Sequence, residues 1–169
     1  MTDREKMITA FFRKWEGGYS NDKDDAGGCT MMGVTIATYR KYYGASKTCS
    51  DLRKITDEEW YSIFRKGYYD KMKADKIEND SIALLCVDMC WGSGPTTAIK
   101  KIQGALGCTV DGKVGPQTLG ALNAQNKAAV FVKLWSMRYN WLIAISKKGN
   151  NKKYLRGWLN RLSDIKFRL

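Results

Sequence analysis

The segment SIALLCVDMCW, residues 81–91, constrains the fold of this chain more than any other stretch, because it is apolar around nearly the whole circumference of a helix. Such a helix needs neighbours on all sides, so we expect it to be the central buried helix. The chain has no uncharged apolar run of 18 residues, and its N-terminus MTDREKMITAFFRKW is charged throughout. We therefore expect neither a membrane span nor a signal peptide, and synthesis in the cytoplasm.

Helical signals surround this segment. Capping boxes open the ranges 2–15 and 57–72, where apolar residues recur with helical spacing. Periodicity predicts further helices over 35–43, 80–91, 96–106, 118–122, 126–147 and 154–166. Turn residues dominate 19–33. The sequence thus predicts a mainly α fold with a short irregular β-hairpin or loop after the first helix.

The turn GSGP at 92–95 is the best internal boundary, because no Pro/Ser-rich linker or repeat occurs elsewhere. We expect a catalytic region over 1–92 and a second helical region over 93–169. A turn of four residues is short, so the two regions are expected to pack as one unit.

The absence of histidine excludes Ser-His-Asp and Cys-His nucleophile systems and imidazole metal sites. Five cysteines, an odd number without a secretory signal, favour free thiols in a reducing compartment. Cys86 and Cys90 lie one helical turn apart in the apolar run and are expected to be small buried hydrophobes. We therefore expect no metal and no cofactor, with chemistry carried by carboxylates, hydroxyls or thiols.

Positive charge is concentrated at the C-terminal end. The net charge is +12, and residues 112–169 hold 12 Lys/Arg against a single acid, Asp164. Such asymmetry attracts polyanions, either nucleic acid, an anionic membrane or an anionic cell-wall polymer.

Acids are dense directly after the first predicted helix. Glu16 follows Trp15 at the helix end, with Gly17-Gly18 and Tyr19 behind it and three aspartates in the loop 22–25. A glycosidase uses a partly desolvated Glu as proton donor and an ionised Asp across the cleft. The two aromatic residues would form the apolar wall, and the glycines would let a polymer approach the backbone.

Other interpretations of these acids are open at this point. Glu16 could be an exposed surface acid, and the aspartates could be solvated turn residues. A calcium site is a further alternative, although Ala26 stands at an acidic position of the EF-hand pattern and no Glu stands at its twelfth position.

Two sets of motifs resemble one known family. EGGY at 16–19, DDAGGCT at 24–30 and GVT at 33–35 resemble the opening of the glycosyl hydrolase 108 family, lysozyme-like N-acetylmuramidases that include endolysin-like proteins and proteins labelled secretion activators. VDGKVGPQTL at 110–119 and GWLNR at 157–161 resemble the peptidoglycan-binding region that accompanies this family. Relatives commonly have Pro in place of Ala26 and Asn in place of Gly92.

The resemblance implies roles for individual residues. Glu16 falls on the family's catalytic acid, and its spacing to Asp25 and Thr30 is similar to that of the phage lysozymes, in which the Asp and Thr position the attacking water. The expected substrate-binding residues are Trp15, Tyr19, Asp24 and Asp88.

The implied function is a bacteriolytic muramidase that hydrolyses the β-1,4 bond between N-acetylmuramic acid and N-acetylglucosamine in peptidoglycan. The alternative is a non-catalytic cell-wall-binding or secretion-associated module on the same fold. We expect a monomer without specific nucleic-acid binding or membrane insertion, since no helix-turn-helix or RNA-binding signature is present. It would reach the wall by holin-type or other non-signal export, or on lysis.

Overall fold

The computed structural model describes residues 1–21 and 28–169, and these residues form mainly α-helices. The described helices are α1 (Asp3–Trp15), α2 (Ile36–Tyr43), α3 (Cys49–Arg53), α4 (Asp57–Phe64), α5 (Asp80–Ser93), α6 (Pro95–Leu106), α7 (Pro116–Leu122), α8 (Lys127–Ser146) and α9 (Leu155–Asp164). Strands β1 (Thr30–Met31) and β2 (Val34–Thr35) pair as an antiparallel hairpin. A π-helical turn (Arg65–Tyr69) and two 3-10 turns (Ala74–Lys76 and Asn151–Tyr154) complete the described elements. The mainly α fold and the hairpin after the first helix agree with the prediction.

The chain forms two compact units, Met1–Lys66 and Gly67–Leu169. The first contains α1 to α4 and the hairpin, and the second contains α5 to α9. The expected regions 1–92 and 93–169 divide the chain at another place, the end of α5, and remain a prediction about its domains.

Aromatic rings form the core of the first unit. Phe12 from α1 and Trp60 from α4 both contact Phe64, at ring-centroid distances of 5.3 and 5.4 Å, and all three are buried. The buried Glu5 of α1 accepts a hydrogen bond from the Tyr61 hydroxyl at 2.8 Å. Burial of these rings, together with that bond, holds α1 against α4.

Helix α5 is the centre of the second unit. Every residue from Ser81 to Cys90 is buried, and both α6 and α8 pack against α5. The prediction of a central buried helix is therefore confirmed, because an apolar circumference is stable only when neighbours cover it. Cys86 and Cys90 are fully buried free thiols, as expected, and burial raises the pKa of the Cys90 thiol to about 12.

Two elements differ from the sequence prediction. The helix expected over 57–72 ends as an α-helix at Phe64 and continues as the π-helical turn. Gly67, a poor helix former, lies within that turn. The five-residue helix α3 was not predicted, because it is too short to show a helical period in the sequence.

The expectation of free thiols is wrong for two cysteines. Cys29 and Cys49 form a disulfide, whereas Cys86, Cys90 and Cys108 are free. The pair is 20 residues apart in sequence, and the packing of β1 against α3 brings the two Cα atoms to 6.0 Å, within the range that a disulfide spans. An odd number of cysteines cannot reveal such pairing, because only the fold brings two of them together.

Candidate active site

Glu16 lies at the C-terminal end of α1. Its backbone N–H donates the last hydrogen bond of the helix to the Phe12 carbonyl at 2.8 Å, and its own backbone is extended, so the chain leaves the helix here. Glu16 and Trp15 are both half-buried. The predicted role of Glu16 as the catalytic acid remains a prediction.

The backbone behind Glu16 is open. Gly17 and Gly18 are exposed, and among the described residues no atom lies within 4 Å of a Cβ atom added to either. Within the described part of the chain, neither glycine is required by packing or by a left-handed backbone, and their small size suits close approach of a ligand to the backbone.

The hairpin holds Thr30 close to the chain that follows Glu16. The backbone groups of Thr30 and Ser20 exchange two hydrogen bonds, of 2.8 and 2.9 Å. Thr30 also pairs with Thr35 in the hairpin. Ser20 comes four residues after Glu16, so their Cα atoms are at most about 14 Å apart. Thr30 is half-buried, and its predicted role in positioning water remains a prediction.

The tip of the hairpin is anchored to α4. Met32 and Gly33 form its two-residue turn with φ values of 50° and 75°, which is the backbone of a tight type I′ turn. Glycine takes such a φ without strain, whereas at Met32 the Trp60 indole supports the turn by donating to the Met32 carbonyl at 2.9 Å. The Cys29–Cys49 disulfide fixes the other end to α3. Thr30 is thus held from both sides.

Tyr19 contacts a residue that the sequence analysis missed. The Arg53 guanidinium of α3 lies 5.2 Å from the centre of the Tyr19 ring, within cation–π range. Arg53 is exposed, so it presents positive charge beside the half-buried Tyr19. The capping box formed by Thr48 and Asp51 was the sequence signal that could have indicated α3.

The remaining predicted site residues are the aspartates Asp24, Asp25 and Asp88. Asp24 and Asp25 lie outside the described residues, so their predicted roles remain predictions. Asp88 lies on α5 in the second unit, where it is buried and forms an ion pair with Arg161 of α9, Nε to Oδ1 2.7 Å. Its predicted role in substrate binding likewise remains a prediction.

A second arginine joins the surroundings of Asp88. Arg138 of α8 is buried and donates from Nη1 to the Ser93 hydroxyl at 3.0 Å. Burial lowers the pKa of the Arg138 guanidinium, and the negative charge of Asp88 opposes this shift. A Cβ atom at Gly92 would lie 2.8 Å from Arg138 Nη2, so the guanidinium occupies the space of a side chain at position 92.

The turn after α6 is held by one buried amide. Gln103 donates to Asp111 Oδ1 at 2.8 Å and to the Lys113 carbonyl at 2.9 Å, and it accepts from the Gly112 N–H at 2.8 Å. The bond from Gln103 is the main reason that the pKa of Asp111 is lowered. Through these bonds the VDGK sequence, residues 110–113, is held as the turn that follows α6.

Comparison with known proteins identifies the family. The family described as Glycosyl hydrolase 108 matches residues 9–94, about half of the chain, including Glu16 and the hairpin. The chain belongs to the glycosyl hydrolase 108 family. The region described as Predicted Peptidoglycan domain matches residues 97–163 of this family member.

A solved structure resembles this glycosyl hydrolase 108 protein over nearly its full length. It is SagA of Brucella abortus, with 28% sequence identity, a TM-score of 0.83, and coverage of 96% of this chain and 90% of the other. No match to a curated protein sequence was found. The lysozyme-like, mainly α fold is thereby confirmed. The chain is a glycoside hydrolase, and its two matching regions relate it to peptidoglycan. In the part of the chain that the structure describes, no helix is long and apolar enough to cross a membrane.

Proposed function

We propose that this protein is a muramidase that hydrolyses the β-1,4 bond between N-acetylmuramic acid and N-acetylglucosamine in peptidoglycan. The observation that carries the proposal is the setting of Glu16, a half-buried carboxyl at a helix end beside an open stretch of backbone. A carboxyl that is partly withdrawn from water and still accessible to a polymer is suited to donate a proton to a glycosidic oxygen.

The proposed reaction uses one acid and one positioned water. Glu16 protonates the oxygen that leaves, while the Asp25 carboxylate takes a proton from a water held by Asp25 and Thr30. That water attacks the anomeric carbon from the opposite face of the sugar, as in inverting glycosidases. The double anchoring of the hairpin supports the role of Thr30, because a water-positioning group must be held within about 0.5 Å of its working position.

Replacement of the acid by its amide tests the proposal. Glu16→Gln keeps the shape of the side chain and removes the proton, so the release of reducing ends from purified peptidoglycan should fall by about 100-fold or more. Its melting temperature should stay close to native. Glu58→Gln, a change of an exposed acid on α4, is the matched control and should retain native activity.

The outcomes separate the two candidate functions. Lysis by Glu16→Gln within about tenfold of native would reject Glu16 as the acid, because loss of general acid catalysis costs more than that. Tight wall binding by the native protein with no release of reducing sugars would instead favour a non-catalytic binding or secretion-associated module.

We also propose that the protein acts at the cell wall, as a monomer, after export or lysis. The Cys29–Cys49 disulfide supports a working place outside the reducing cytoplasm. The surplus of positive charge over 112–169 supports retention on a polyanionic wall.

A further inference from the structure

The second unit carries a groove that neither the hydrolysis nor the family motifs use. It lies between α8 and the residues at and after the end of α9, and its volume is about 300 Å³. This is the lower end of the range for small-ligand sites and suits one sugar unit. Three aromatic side chains line it, Phe131, Trp135 and Phe167.

The aromatic wall is rigid. The Trp135 indole N–H donates to the Leu162 carbonyl of α9 at 3.2 Å, which fixes the ring plane. The Phe131 and Phe167 rings contact each other, with centroids 5.4 Å apart. A wall that is fixed before binding loses little entropy when a ligand settles on it.

One side of the groove continues as an exposed apolar stripe along α8. Val132, Trp135 and Tyr139 are spaced at i, i+3 and i+7, so they share one face of the helix. Val132 is 61% exposed and Tyr139 is 39% exposed, and the Tyr139 ring stacks on Trp135 at 5.7 Å. The stripe is thus an aromatic platform that is open to solvent.

Polar groups stand at the rim. Ser136, Ser163 and Lys166 line the groove and are exposed. Two hydroxyls can exchange hydrogen bonds with sugar hydroxyl or acetamido groups, and the ammonium can contact a carboxylate. A mainly apolar groove with a few convergent polar groups is the usual composition of a ligand site.

We propose that this groove binds a glycan strand of peptidoglycan, with one N-acetylated amino sugar against Trp135 and a stem-peptide carboxylate near Lys166. The inference rests on the proposed function for the identity of the polymer and adds a binding site to it. An N-acetylhexosamine has an apolar ring face and an acetyl methyl group for the aromatic wall, and hydroxyl groups for the two serines.

Charge favours this occupant over an uncharged or cationic one. Peptidoglycan carries stem-peptide carboxylates, and the region 112–169, which contains the groove residues, has 12 Lys/Arg against one acid. Most of the groove also falls within residues 97–163, which match the predicted peptidoglycan domain. Attraction over the whole region increases encounter, while the groove provides the specific contact.

The test measures binding in a background that does not cut the polymer. In Glu16→Gln protein, Val132→Glu places an acid on the exposed platform, and we expect its affinity for purified insoluble peptidoglycan to fall about tenfold. Lys166→Glu should weaken binding to peptidoglycan by a similar factor while changing binding to uncharged N-acetylglucosamine oligomers by less than about twofold.

Two matched controls carry the same charge changes elsewhere. Ala144→Glu adds an acid at another exposed position of α8, and Lys71→Glu alters an exposed lysine outside residues 112–169. Both should bind peptidoglycan within about twofold of the Glu16→Gln parent. All four variants change exposed side chains, so their melting temperatures should stay near native, which separates lost binding from lost folding.

The proposal is overturned if Val132→Glu binds as well as the parent, or if Ala144→Glu weakens binding equally. It is also overturned if sedimentation shows that the native protein self-associates and Val132→Glu makes it monomeric, because the groove would then join two copies. Release of reducing ends by native protein is measured separately. If the native protein released no reducing ends, the muramidase proposal would be rejected, whereas the binding measurements would still test the groove.

Discussion

Asp88 and Arg161 form an ion pair in the second unit although 73 residues separate them in the chain. The carboxylate of Asp88 is 6% exposed and the Arg161 side chain is 17% exposed, so water screens the pair only weakly. The pair connects the central helix α5 to α9. Arg138, also buried, adds a second positive charge to the surroundings of the same carboxylate.

Removal of the Asp88 charge should therefore destabilise the fold. Asp88→Asn leaves two guanidinium groups without their carboxylate in a poorly hydrated place, and we expect the free energy of unfolding to fall by about 3–5 kcal/mol. Urea denaturation measures this. Asp57→Asn is the control, because Asp57 pairs with Arg13 while 80% exposed and its loss should cost about 1 kcal/mol or less. Equal effects of the two changes would contradict the prediction.

Asp25 is assigned as the carboxylate that works with Glu16 from the spacing of the motif alone. Single substitutions can test whether this assignment is off by one residue. Among Asp22→Asn, Asp24→Asn and Asp25→Asn, the change at Asp25 should reduce peptidoglycan hydrolysis most, because that carboxylate is proposed to activate water. A stronger effect at Asp24 would shift the register by one residue. NMR of the first product should show the α anomer, and initial β anomer would reject inversion.

The disulfide should support both stability and activity. Cys29→Ser opens a loop of 20 residues and should lower the free energy of unfolding by about 3 kcal/mol. Because Cys29 precedes Thr30, hydrolysis should fall as well. A mild reductant should reproduce both effects in native protein and have no effect on Cys29→Ser. If the reductant also inactivated that variant, another site would be responsible.

The raised pKa of Tyr39 predicts a loss of folding stability at alkaline pH. Burial raises its pKa to about 12, and the hydrogen bond to the Glu59 carboxylate adds to the shift. Its pKa in the unfolded chain is about 10. Because the folded state holds the proton more tightly, this contribution to stability is complete below about pH 10 and is lost as the pH rises through 12.

Tyr39→Phe tests this assignment. Unfolding free energies of native and variant protein should converge between about pH 10 and 12, since phenylalanine has no proton to lose. Tyr154→Phe, a change of an exposed tyrosine, controls for general alkaline effects. Parallel curves for native protein and Tyr39→Phe would show that Tyr39 does not titrate in this range.

Periodicity made most helices and the buried α5 predictable, because helix formation and burial require a regular spacing or a continuous run of apolar residues in the local sequence. The setting of Glu16 was predictable for the same reason, since a helix end and a Gly-Gly turn are local features. The Cys29–Cys49 bond, the contact between Arg53 and Tyr19 and the pairing of Asp88 with Arg161 were not predictable. Each joins residues whose proximity is decided by packing, and no local pattern records it.

Packing at Gly92 and Arg138 couples the side chains that these two positions can carry. With 2.8 Å between Arg138 Nη2 and the place of a Cβ at position 92, the two sites compete for one volume. A side chain at position 92 requires the Arg138 guanidinium to move out of this volume. The effect of a substitution at 92 therefore depends on the residue at 138, so the same change costs more in one sequence background than in another.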